Sequence, residues 1–139
     1  MFSLWGISYL ILTPKEKKEN LRKNVWIRDY GSFPNIPILK KDEWKNACVF
    51  WEIFTKEEEE LFLTSHEHCL YIAENIDVCH ILGKGRNKKE QYDPNNCFLG
   101  NRISHGYFDN SFHPVTGKRC DKEETDKWKE RIMECIKCQ

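Results

Sequence analysis

The chain has 139 residues, and its 22 Lys and Arg balance its 22 Asp and Glu to a formal net charge of zero. That length sets one domain, or a small domain with helical additions. The neutral balance excludes a global basic field that gathers nucleic acid, so any polyanion contact must come from a local patch. Five Trp and eight Phe supply enough apolar bulk for a core without disulfides.

Residues 1–13 are apolar but have no basic residue in front and are too short to span a bilayer; a buried strand or helix turn is expected there. Residues 14–23 form a polar, basic run, read as an exposed helix or loop. A glycine and two prolines make residues 29–37 a connection. Residues 41–54 predict a helix, because Trp44, Ala47, Cys48, Trp51 and Phe54 recur at helical spacing as one apolar stripe. Thr55 then reads as an N-cap with Glu58 as its capping-box partner, opening a helix over 56–65. The four glutamates 57–60 are expected as a solvated first turn favoured by the helix dipole.

Residues 69–73 and 76–82 alternate as strands around a turn at Glu74 and Asn75. Residues 83–94 are a loop rich in Gly, Asn and Lys, and 97–99 a short apolar run. Asn101 can cap a helix running to Asp109. After a turn at 114–117, Asp121 opens a last helix with Glu124 in the capping-box position and Trp128, Ile132, Cys135 and Ile136 as its buried stripe.

Seven cysteines stand at 48, 69, 79, 97, 120, 135 and 138, odd in number and irregular in spacing. With no secretory signal before them, reduced thiols in a cytoplasmic protein are expected. Cys135 and Cys138, with Cys120 nearby, hint at zinc but lack a clear fourth ligand; a terminal helix with a buried cysteine is the simpler reading. His66 and His68 are read as surface residues, and His113 as a loop histidine or a neighbour of phosphate or metal.

The chemistry concentrates in His80, Asn96 and His105, in that order, with Asp109 four residues beyond His105 and so on the same helical face. A histidine ending an apolar strand, beside a His/carboxylate pair on a helix, can hold one divalent metal next to a general base. That combination points to metal-assisted cleavage of a phosphodiester.

The stretch Asp77–Asp109 resembles the HNH endonucleases, the ββα-metal nucleases, in their small bacterial and phage forms. The resemblance is carried by His80-Ile81, the Gly- and basic-rich loop 83–89, Asp93-Pro94-Asn95-Asn96, the apolar run 97–99 and His105-Gly106-Tyr107-Phe108-Asp109. It implies an α+β protein with a ββα-metal core at 69–113, an N-terminal helical extension at 1–68 packed on that core and a C-terminal helix at 114–139. It implies His80 as general base, His105 and Asp109 as ligands of one divalent metal, and Asn96 as the residue that orients the loop and the His80 imidazole. Mg²⁺ or Mn²⁺ is the expected metal, with Zn²⁺ or Ni²⁺ as alternatives. The substrate implied is duplex DNA, contacted with little sequence readout by Lys84, Arg86, Lys88, Lys89 and Arg102, with Lys118 and Arg119 beyond the next turn. Bacterial or phage-infected cytoplasm is the setting this implies, with no membrane partner.

Two departures stand out. Where many members carry Asp or His before the base, this chain has Cys79, a soft donor better suited to zinc, or else a small core residue; Asp77 points the same way and can substitute through water. The paired Cys-x-x-Cys motifs of many members are missing, and Ser104 stands where cysteine is often found. They favour the main alternative, a catalytically silent nucleic-acid-binding module that keeps the fold. A third reading is a structural zinc protein using Cys120, Cys135 and Cys138.

Overall fold

The computed structural model describes residues 11–34, 43–66, 75–83 and 88–137, and these form a mixed α+β structure. The expected apolar element before residue 11, the strand at 69–73, His68, Lys84, Arg86 and Cys138 lie outside the described residues.

Helix α1, Pro14–Tyr30, starts where Thr13 caps Glu16 and Glu16 returns the bond to the Thr13 amide, with proline in the first turn. It runs seven residues past the basic stretch and ends on Gly31, whose φ of 94° suits the left-handed cap. The connection expected from residue 29 therefore begins at Gly31. Leu21, Val25 and Trp26 form its buried face.

The helix expected over 41–54 is two short pieces, α2 (Trp44–Ala47) and α3 (Val49–Ile53), separated by an extended Cys48. Trp44 and Trp51 pack around Phe62 of α4 (Lys56–Ser65), Phe50 reaches Phe98 and Phe108, and Phe54 joins the two groups. The Thr55–Glu58 capping box forms as expected.

Strands β1 (Ile76–His80) and β2 (Cys97–Asn101) pair antiparallel, with Val78 opposite Leu99 and His80 opposite Cys97. The expected strand through residue 82 stops at His80 because a 3-10 turn at Pro94–Asn96 ends the partner strand. Helix α5 (Arg102–Asp109) follows β2 directly, and α6 (Lys122–Lys137) closes the described chain behind an Asp121–Glu124 capping box.

Every residue of β2 is buried. Its outer edge meets side chains rather than a third strand. The Leu99 amide donates to the Asp29 carboxylate at 3.0 Å, and Arg28 donates to the carbonyls of Pro94 and Cys97. Arg28 and Asp29 are also ion-paired at 2.8 Å, so the end of α1 covers a sheet edge that otherwise exposes unpaired groups. One apolar cluster runs from Leu21 to Ile136 through both strands. Gly100 lies so close to α3 that a Cβ there meets Phe50 at 2.8 Å and Cys79 at 2.9 Å. Among the described residues no helix is long and apolar enough to cross a membrane.

Candidate active site

The start of α5 is fixed before any functional group is considered. Asn101 accepts from the Ser104 amide at 2.8 Å and donates to the Ser104 hydroxyl and the Cys48 sulfur. The Ser104 hydroxyl in turn donates to the Pro114 carbonyl, and all of this is buried. His105 therefore leaves a helix turn anchored on three sides.

Its imidazole lies between two carboxylates. Nδ1 is 3.0 Å from Asp77 on β1, and Nε2 is 2.9 Å from Asp109, one turn along α5. Burial opposes the charged imidazole, but the hydrogen bonds to Asp109 and Asp77 outweigh it and raise its pKa to about 12. Burial likewise works to raise the Asp77 carboxyl, and the bonds from His105 and Arg102 overcome it and hold it below the ordinary value. Arg102 pairs with Asp77 at 3.0 Å, so this cation is committed to the cluster it borders. Cys79 is fully buried against Gly100 and Phe50, and burial pushes its thiol up to about 12, with His105 pulling the other way.

His80 ends β1. Its Nε2 is 2.8 Å from the Gln91 carbonyl, which can only accept, so Nε2 carries the proton and Nδ1 is the basic nitrogen of the neutral ring. The loop bearing Gln91 is held by Asn96, which is 6% exposed. Asn96 accepts from the Leu82 amide at 2.8 Å and donates to the carbonyls of Leu82 and Glu90 at 3.2 Å each. Its carboxamide stands in for a backbone partner where the ladder has ended.

His80 and His105 line one cavity of about 710 Å³ between α1 and the strand pair, together with Asp77 and Arg102. Lys18 and Arg22 of α1 form part of its wall, as do Gln91 and Tyr92. Neither cation carries a local sequence signal for this role; only the packing of α1 on β2 brings them here. Lys88 and Lys89 are exposed in the loop before Asn96, and Lys118 and Arg119 are exposed beyond α5; none of them lines the cavity.

Other expectations resolve as scaffold. His113 accepts from the Val115 and Thr116 amides, meets Glu58 at 3.2 Å and packs on Trp128. Glu58 also faces Arg131 at 3.7 Å, so the glutamate run is not uniformly solvated. His66 is half-buried against Phe62 rather than a surface residue. Cys135 donates to Glu52 at 3.1 Å and Cys120 is buried.

One imidazole nitrogen and one carboxylate form a donor set that fits a divalent ion on two protein groups. His105 Nε2 and Asp109 are 2.9 Å apart, so both could reach one ion. Asp77 bonds the other imidazole nitrogen, the arrangement that directs Nε2 toward a metal. Cys79, a buried thiol, does not fit as a ligand. Among the described residues no group of three or more His, Cys, Asp or Glu is arranged to cage a metal. No family model, no curated protein and no solved structure matches this chain.

Proposed function

We propose that this chain is a metal-dependent endonuclease of the ββα-metal type that hydrolyses DNA phosphodiester bonds. The observation that carries the reading is that His80, from a strand end, and His105, from the following helix, line the same cavity beside Arg102, Lys18 and Arg22. His80 takes the proton from the attacking water at Nδ1, while the Gln91 carbonyl holds Nε2–H and keeps the ring in that tautomer. Asn96 acts through the loop, fixing the segment that carries this carbonyl. His105 and Asp109 would hold the divalent ion; the carboxylate oxygen suits Mg²⁺ or Mn²⁺, and the imidazole nitrogen also suits Zn²⁺ or Ni²⁺. When bound, that ion supplies Lewis-acid stabilisation of the phosphate and the leaving oxygen. Lys18, Arg22 and the exposed lysines neutralise neighbouring phosphates, which makes binding salt-dependent.

Supercoiled-plasmid cleavage in EDTA, Mg²⁺, Mn²⁺, Ni²⁺ and Zn²⁺ tests this. Wild type is expected to nick only with metal, and His80→Ala to lose about 10²- to 10⁴-fold in rate while melting as wild type does. Equal nicking by the variant would remove His80 from the mechanism. The commitment of both His105 nitrogens to carboxylates favours a second reading, a DNA-binding module without catalysis. DNA binding with no cleavage in any metal would establish it.

A further inference from the structure

We propose that the cavity between α1 and the strand pair receives one nucleotide turned out of its base stack, so that locally unpaired DNA is the preferred substrate; this rests on the nuclease reading of His80 and His105. The cavity, about 710 Å³, falls within the range of small-molecule sites, about 300–1,000 Å³. A bare phosphodiester approaching His80 needs only polar groups at the mouth. This cavity is also walled by Leu21, Ile76 and Val78, apolar side chains that offer a phosphate nothing. An apolar wall behind reactive groups suits the face of a base.

Tyr92 adds a half-buried aromatic ring to the same cavity, with the Lys17 ammonium 5.7 Å from its centre. Aromatic platforms flanked by cations are the sequence-tolerant means of holding unstacked bases. Lys18 and Arg22 stand one turn apart on α1, about 6 Å along its axis, and Arg22 is steadied over the Phe33 ring at 5.0 Å. They are placed for phosphates on the strand that delivers the nucleotide. A fully paired duplex presents edges and backbone and keeps its base faces stacked, so it cannot use this wall. A bulge or single strand can, at little unstacking cost.

The test uses the full chain in EDTA and labelled oligonucleotides of one sequence, presented as paired duplex, as duplex with a central bulge and as single strand, with affinity read by fluorescence anisotropy. Wild type is expected to bind the bulged and single-stranded forms about tenfold tighter than the duplex. Tyr92→Ala, which removes the ring, and Val78→Trp, which fills the cavity, should each bring that ratio close to one; thermal melts show which variants are folded. Equal wild-type affinity for all forms, or a preference that survives in the folded variants, overturns the proposal. Nicking assays on the same substrates separate it from the reading beneath it. Metal-dependent nicking without the preference removes the pocket and keeps the nuclease. A preference lost in the variants, with no nicking in any metal, keeps the pocket and removes the nuclease.

Discussion

Replacing Asn96 with alanine tests whether one carboxamide holds the base in place. The substitution deletes an acceptor for the Leu82 amide and two donors, to the Leu82 and Glu90 carbonyls. Each neutral hydrogen bond is worth about 1 kcal/mol net, and a buried group left unpaired costs more. The Leu82 side of the loop is exposed, so water replaces part of the loss. About 2–3 kcal/mol is therefore expected, a fall in Tm of about 6–12 °C for a domain of this size. Asn96→Asp should be worse than alanine near neutral pH. It keeps an acceptor for the Leu82 amide but turns a carboxylate oxygen toward two carbonyls. Circular dichroism melts measure the stability, and hydrogen exchange at the Leu82 amide measures the clamp itself. Cleavage should fall about 10- to 100-fold, because small misplacements of a catalytic group are costly. A Tm within about 2 °C of wild type, with Leu82 still protected, would refute the account of Asn96 as the element that fixes the loop.

Asp109→Ala should raise the Mg²⁺ or Mn²⁺ needed for half-maximal cleavage about tenfold; an unchanged requirement would leave Asp109 as a helix-end residue only. Without metal, the pKa of His105 is raised to about 12, so its ion pairs stabilise the fold fully below its ordinary value and are lost only as pH rises through the folded one. Metal must displace that proton, so apparent metal affinity should climb about tenfold per pH unit through the neutral range. Calorimetric titrations in buffers of different ionisation enthalpy would read the released proton, and a pH-independent affinity would remove His105 as a ligand. Gly100→Ala forces a Cβ against Phe50 and Cys79 and should cost about 1–3 kcal/mol in a urea titration. An unmoved midpoint would mean that Phe50 yields freely.

What the sequence made legible was local. Thr55 with Glu58, Asp121 with Glu124, and Asn101 ahead of α5 are caps whose partners lie three residues away, and each forms as read. Thr13 and Glu16 carry the same signal, but the apolar stripe of α1 is sparse among charged residues, so its sequence suits helix and loop alike. The break at Cys48 has no local cause visible in the sequence. At the break the Cys48 sulfur accepts from the Asn101 carboxamide, a partner distant in sequence. In the site, the His105–Asp109 pairing is one helical turn and was readable. The Asp77–His105 contact, the Arg28 and Asp29 cover on β2, and the Lys18 and Arg22 wall join residues far apart in sequence. Such contacts depend on packing that no short pattern encodes.

A two-stranded ribbon is marginal by itself, so the spacing between His80 on β1 and His105 on α5 has to be set elsewhere. Phe50, Phe98 and Phe108 form a closed triangle with centroid separations of 5.1, 5.8 and 5.7 Å, joining α3, β2 and α5. Gly100 allows α3 to approach closely enough for that triangle to close. On the other side, Arg28 and Asp29 hold both the outer edge of β2 and the Pro94 carbonyl at the start of the 3-10 turn that presents Asn96. Asn96 then fixes the loop whose carbonyl meets His80. The path from α1 to the imidazole is continuous, made of hydrogen bonds and aromatic packing. The stretch from Asp77 to Asp109 is braced by the helices that flank it. Helix α1 therefore both braces β2 and walls the cavity, which the stretch from Asp77 to Asp109 does not enclose by itself.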